Sequence, residues 1–463
     1  MDAYVEYSSE GEQWGDDDDD VEPDSILLGL VQTYEWNGTL ERIASHPDEC
    51  KAVGVQGRTP LHVACDHDAP AEVVAALVQA FPEASLMVGT SSMNPLHITC
   101  SSHHASVEVV QVLLQGGVDT QTSMRDIDGD TPLHAACRCG APMETLRVLL
   151  EANPAVVHER DYEGLTPLLR LWVRCFVMLG DDVLDRFQGP SDLTGELGET
   201  WQKTELLLRC SHLGSLRGPT SPPSFPLSCQ NGTVNSGLPF EDLPPNYTFR
   251  PVHAVAAVDC PRPVIKMATI LYPKQLVELD EMGMTPLLIA SKAPIYKVRD
   301  LSDEGFMLED RVYGDSDTDS DHDMDDADRV DSGQPSVLDI LVTADPSAAR
   351  IEGRFGSCRG RLPLHLAVAT GKPWNEGIKS ILAAYPEAIS RIDPLTGLYP
   401  FQQAAASDRP ECSVIFELLK KDPSLAILSP SNGPSRHSLA FLDDKVTDVP
   451  MTMTYQESQQ RVI

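Results

Sequence analysis

The residues best placed to do chemistry lie in one acidic run, Asp315-Ser316-Asp317-Thr318-Asp319-Ser320-Asp321-His322-Asp323. Alternating aspartates suggest a calcium loop, which delivers hard carboxylate oxygens at every second position. Its sixth position would be Ser320, where glycine makes the sharp turn, and its twelfth Asp326, where glutamate binds through both oxygens. Selective calcium binding is therefore not expected. Phosphorylation is a sharper reading. Ser316, Thr318 and Ser320 each have an aspartate three residues downstream, and each phosphate would add nearly two negative charges. A solvated like-charge loop is the plain reading of the same run. Cys137-x-Cys139 is the one close cysteine pair, and without a second pair at zinc-ligand spacing it predicts no metal site. The chain has no Gly-rich phosphate loop ending in Lys-Ser/Thr, no Gly-x-Ser-x-Gly and no His-Glu-x-x-His. No catalytic residue, metal or cofactor is assigned, and a non-enzyme is expected.

The elements that carry these residues are set by a recurring phrase, clearest in Thr131-Pro132-Leu133-His134-Ala135-Ala136-Cys137. Copies are marked by Pro60, Pro95, Pro132, Pro167, Pro251, Pro286, Pro363 and Pro400, at gaps of 35, 37, 35, 84, 35, 77 and 37 residues. A repeat in this range marks a stacked array, in which no unit buries its apolar face alone. Threonine suits the helix N-cap, and proline at the first helical position forfeits only an amide that would be unpaired anyway. Glycine sits three residues before the proline at Gly57, Gly129, Gly164, Gly283, Gly360 and Gly397, and Asp126, Asp161 and Asp280 lie three residues before that. Asp-x-x-Gly is turn chemistry. Helically spaced apolar residues follow, such as Val74, Leu77 and Val78, or Leu146, Leu149 and Leu150. Prolines 82, 154, 273, 346, 386 and 423 end the second helices. Each unit reads as turn, helix, loop, helix, proline stop and extended return.

The phrases Thr59-Pro60-Leu61-His62, Asn94-Pro95-Leu96-His97, Thr131-Pro132-Leu133-His134 and Leu362-Pro363-Leu364-His365 resemble the ankyrin repeat, as does the ending Leu113-Leu114-Gln115-Gly116-Gly117-Val118-Asp119. The resemblance covers roughly 36–177, 251–296 and 335–428. It implies an all-α, ankyrin-type solenoid of about eight helix-turn-helix repeats with short β-turn fingers, interrupted by two long insertions. It further implies that His62, His97, His134 and His365 bond backbone between neighbouring repeats, and that finger tips and the concave face of first helices bind protein. On that basis Gln56, Arg58, Met93, Arg125, Asp128, Tyr162, Glu163, Met282 and Met284 are candidate partner-binding residues; Arg, Tyr and Met are types favoured at interface cores. Leu169, Leu288 and Gln402 depart from the histidine, and Arg250-Pro251 departs from Thr-Pro.

Seven segments follow. An acidic tail, 1–24, expected to be disordered, precedes repeats with an N-terminal cap over 25–177. An insertion over 178–250 holds a delayed second helix, Glu199 to Arg209, and a Pro/Ser-rich loop. Repeats return over 251–296, an acidic insertion expected to be disordered spans 297–334, the last repeats cover 335–428, and 429–463 is a tail expected to be disordered. The formal charge of −35 is concentrated outside the repeats: eleven acids without a base in 1–24, and fourteen acids against four bases in 297–333. Nucleic-acid binding needs a basic patch to displace counterions, and no such cluster occurs. Direct nucleic-acid binding is not expected, while basic protein partners stay open. A binder or chaperone of basic proteins, or a nuclear regulator, acting through the acidic tracts is the alternative to a scaffold or adaptor. No basic start leads into an apolar run, and Leu165 to Leu179 is too short and too charged to span a bilayer. Neither a secretory signal nor membrane insertion is expected. Cys65, Cys100 and Cys137 share one repeat position and read as small core residues, in keeping with an intracellular protein, cytoplasmic ahead of nuclear. The sequence leaves the oligomeric state open.

Overall fold

A computed structural model describes residues 25–89, 91–102, 105–115, 118–180, 186–217, 249–293, 335–407 and 410–424. The acidic stretches, with Ser316, Thr318 and Ser320, lie outside the described residues, as do 218–248 and 429–463. The described residues form helices and no strand; one isolated bridge joins Gly353 and Arg359. They fall into two compact units that divide at Gln275 and Leu276.

The first unit opens with a cap, α1 (Ile26–Gln32) and α2 (Trp36–Ser45), followed by helix pairs. These are α3 (Pro60–Asp66) with α4 (Ala71–Ala80), and α5 (Pro95–Cys100) with α6 (Val107–Leu114). A short α7 (Val118–Ser123) leads to α8 (Pro132–Cys139) with α9 (Met143–Ala152), then α10 (Pro167–Leu179) with α11 (Gly195–Arg217), and α12 (Pro251–Ala257) with α13 (Arg262–Leu271). First helices pack on first helices (α3 on α5, α5 on α8, α8 on α10) and second on second (α2 on α4, α4 on α6, α6 on α9), giving two layers. Leu61, Leu96 and Leu133 are buried between neighbours, each stabilising the stack by about 2 kcal/mol.

The local rules explain the joints. Thr59, Thr131, Thr166 and Thr285 hold extended backbone with ψ of 165°, 166°, 164° and 164°. The Thr166 hydroxyl accepts from the Leu169 amide at 3.4 Å, and that of Thr285 from the Leu288 amide at 3.3 Å. The prolines after the second helices do more than stop them. Pro82, Pro154, Pro346 and Pro386 each open a 3₁₀ turn whose third residue, Ala84, Val156, Ala348 or Ala388, is buried. The return is therefore not simply extended: it begins with a turn that plugs the layer.

The insertion after α10 does not interrupt stacking. Helix α11, longer at both ends than the expected Glu199 to Arg209, lies against α9, α10 and α12. The Trp172 indole N–H donates to Thr204 Oγ1 at 3.0 Å, and Lys203 Nζ reaches the Gly140 carbonyl at 3.3 Å. Onward, the Tyr272 hydroxyl donates to Glu205 Oε1 at 2.6 Å, and Arg160 pairs with Asp259 at 2.9 Å.

The second unit holds three pairs: α14 (Pro286–Lys292) with α15 (Val337–Ala344), α16 (Pro363–Ala369) with α17 (Lys379–Ala384), and α18 (Pro400–Ala405) with α19 (Cys412–Lys421). Helices α14, α16 and α18 form its first layer.

Candidate binding surface

The repeat histidines are structural. In His62, His97, His134 and His365, Nδ1 accepts the backbone N–H of the N-cap residue at 3.2, 3.4, 3.1 and 3.1 Å. In His62, His134 and His365, Nδ1 as acceptor places the proton on Nε2, which donates across to the carbonyls of Met87, Leu165 and Arg391 at 3.0, 3.1 and 3.0 Å; His97 Nε2 lies 3.0 Å from the Asp130 carbonyl, and its Nδ1 also lies 2.8 Å from the Asn94 side-chain oxygen. Burial pushes the His134 pKa down to about 4 and lowers those of the other three. Neutral imidazoles locked in this way hold repeats together. Burial likewise pushes the Cys65 thiol up to about 12 and raises Cys100, Cys137 and Cys139, leaving neutral thiols in the first-helix layer.

The first four fingers are tight turns closed at the base by a backbone bond: Gly54 N to Arg58 O at 2.9 Å, Gly89 to Met93 at 3.2 Å, Asp126 to Asp130 at 3.0 Å and Asp161 to Leu165 at 3.0 Å. The Asp126 carboxylate accepts from the amides of Asp128 and Asp130 at 3.0 and 2.9 Å, the expected use of that aspartate. Fingers are also tied to each other. The Ile127 amide donates to the Ser91 carbonyl at 3.2 Å, and the Tyr162 amide to the Asp128 carbonyl at 3.0 Å. Gly129, at φ +79°, lies under Tyr162; a Cβ there would stand 2.7 Å from both the ring and the Tyr162 nitrogen.

The candidate residues divide by this geometry. Gln56, Arg58 and Met93 come together around a cavity of about 350 Å³ between the first two repeats, floored by Cys65 and Ile98. Arg58 is held there by Asp66 at 2.8 Å. In the third repeat the same two positions carry the reversed pair, Asp130 with Arg138 at 3.2 Å. Arg125, Asp128, Tyr162 and Glu163 form a second group. Arg125 donates to the carbonyls of Gly129 at 3.0 Å and Arg160 at 2.5 Å and pairs with Glu159, so it fastens one finger to the next. Asp128 and Tyr162 are exposed, and exposed Glu163 pairs with Arg170 at 3.1 Å. In the second unit Met282 is exposed, but Met284 is half-buried against Leu288, Cys358 and Leu366. Met284 belongs to the core and is not a tip.

Two tip residues escaped the sequence reading. Val55 and Ile127 occupy the same finger position as Tyr162, and the three are 75%, 55% and 74% exposed. The signal was available as the residue immediately after Gly54, Asp126 or Asp161. It was missed because apolar residues in a turn look like core. In the second unit Phe355, Ile392 and Leu395 join Met282 as exposed apolar finger residues.

Two layers of short helices with tied turns along one edge define an all-α, ankyrin-type solenoid. Residues 96–170 match the family model described as Ankyrin repeats (3 copies), and residues 56–88 match the one described as Ankyrin repeat. Residues 56–170 thus carry ankyrin repeats, which mark a protein–protein interaction module. No curated protein matches the chain. Among the described residues, no helix is long and apolar enough to cross a membrane.

Proposed function

We propose that this protein is a non-catalytic scaffold or adaptor that grips a polypeptide along its finger edge and the adjoining concave face. The observation that carries the reading is the row Val55, Ile127 and Tyr162: exposed side chains at one equivalent position on closed turns, those of Ile127 and Tyr162 tied to the preceding fingers by backbone bonds. Scattered exposed apolar residues need no explanation, but a row on a stiff edge marks a contact surface. A stiff edge also costs little entropy to order on binding. Tyr162 is the anchor, since a large amphipathic ring gains most when desolvated. Arg58, Gln56 and Met93 line the neighbouring cavity and receive the partner's side chains there.

The partner is a protein within the cell, and Ser316, Thr318 and Ser320 are our candidates for phosphorylation that tunes its access. Affinity capture from native extract with the full chain, beside a Val55→Asp, Ile127→Asp, Tyr162→Asp variant, tests the proposal. A specific protein should be recovered by the first and lost by the second. Equal recovery by both would overturn the assignment of the row.

A further inference from the structure

The second unit carries a finger unlike those of the first. It runs from Gly353 to Gly360 and is closed by the Gly353 amide on the Arg361 carbonyl at 3.0 Å and the Gly360 amide on the Gly353 carbonyl at 2.8 Å. Its shape is further fixed by the Cys358 amide on the Phe355 carbonyl at 3.2 Å and the Arg361 amide on the Cys358 carbonyl at 3.0 Å. The base is docked, because the Arg354 amide donates to the Gly283 carbonyl at 2.9 Å. A Cβ on Gly283 would stand 2.6 Å from the Phe355 ring, so the ring rests on the preceding finger with 59% of its surface still exposed.

Charge makes this finger distinctive. In a chain of net −35, residues 350–391 hold seven arginines and lysines against three acids. Most arginines here are already engaged: Arg361 with Asp393 at 2.7 Å, Arg391 with Glu352 at 3.2 Å, and Arg350 over the Tyr385 ring at 5.4 Å. Arg354 and Arg359, which bracket Phe355, are exposed and have no side-chain partner among the described residues. An exposed aromatic side chain on the same short finger as two arginines with no side-chain partner among the described residues offers an apolar contact and two carboxylate-binding forks at once.

We infer that the Gly353–Gly360 finger docks an acidic peptide of a partner protein, Phe355 receiving an apolar side chain and Arg354 and Arg359 the flanking carboxylates. The inference rests on the reading of fingers as the binding edge, and it gives the second unit a partner chemistry of opposite sign to the chain's own charge. Electrostatic complementarity of this kind selects the partner and speeds its encounter. A single-stranded nucleic acid could stack a base on the ring, but it needs a basic track to displace counterions, and this chain of net −35 has no such cluster beyond the finger.

The test uses the full chain and a short fluorescein-labelled peptide in which leucine and phenylalanine alternate with glutamate, followed by anisotropy. Binding should weaken on the order of tenfold in Arg354→Glu, Arg359→Glu, with the melting midpoint unchanged because both side chains are exposed. Phe355→Leu should retain most of the affinity and Phe355→Ala should lose it. The peptide with glutamine for glutamate should bind several-fold more weakly. Equal binding by the arginine variant, equal binding of the glutamine peptide, or competition by a single-stranded oligonucleotide as strong as by the peptide would each overturn the inference. So would binding that emerges only when Asp315, Asp317, Asp319, Asp321 and Asp323 are changed to Asn, since the chain's own acidic run would then be the occupant. The arginine and phenylalanine variants lie in the second unit alone, so their failure is distinct from failure of the Val55–Ile127–Tyr162 row.

Discussion

His134→Leu tests the wiring between repeats most directly. In the fold, Nδ1 accepts from the Thr131 amide and Nε2 donates to the Leu165 carbonyl, both at 3.1 Å, and His134 is fully buried. Leucine, which stands at the equivalent positions 169 and 288, fills similar space, so the cavity left is small. It strands one buried N–H and one buried C=O, at about 1–3 kcal/mol each, for an expected loss of about 2–6 kcal/mol at pH 7.5. His134→Gln should cost about 1 kcal/mol or less, since Gln402 already serves this way, accepting the Tyr399 amide at 3.1 Å. Acid adds an independent signature. Burial holds the His134 pKa at about 4 in the fold, against about 6.5 in an unfolded chain. Between those values the unfolded chain binds a proton that the folded one refuses. The contribution is therefore complete above about pH 6.5 and is lost as pH falls toward 4. At pH 5.5 the wild type should have lost about 1.4 kcal/mol through this residue, a loss unavailable to the leucine variant. Asp130, whose carboxyl burial pushes up to about 6, titrates with the opposite sign but is common to both proteins and cancels in the difference. Urea unfolding followed by circular dichroism at pH 7.5 and 5.5, both above the isoelectric point near 4.6, measures the gap. A gap that does not narrow in acid, or a cost under about 0.5 kcal/mol at pH 7.5, would refute the assignment of the imidazole as a neutral bridge.

Gly129→Ala should cost about 2–3 kcal/mol, combining the left-handed backbone with a clash against Tyr162. Gly195→Ala, also at positive φ but with nothing within 4 Å, should cost about 1 kcal/mol; thermal or urea midpoints separate the two. Trp172→Phe removes the bond to Thr204 and should destabilise the first unit by about 1–3 kcal/mol. Amide exchange in α11 should rise more than in α3, and equal exchange in both would count against α11 docking through this contact.

Much of the scaffold was legible in the residues. Proline at the first helical position, threonine or asparagine before it and glycine three residues ahead act within a few residues of themselves, so spacing alone locates the first helices. The reach of α11 was underestimated because its ends, unlike Glu199 to Arg209, show no regular apolar stripe. Arg125 and Met284 illustrate the limit at the candidate site. Both types are common at interfaces, yet one is spent tying two fingers and the other fills a core. Exposure is a property of neighbours, which the linear order does not show.

The sequence by itself determined the class of fold, the repeat register and the concentration of acid outside the repeats, because turn chemistry, capping and helical periodicity are local. Only the tertiary structure decided which finger residues face solvent, that the insertion after α10 supplies a packed helix and not a gap, and that Arg354 and Arg359 stand without side-chain partners among the described residues. Those outcomes depend on which side chains meet after stacking, and stacking brings together residues that are a whole repeat or more apart in the chain.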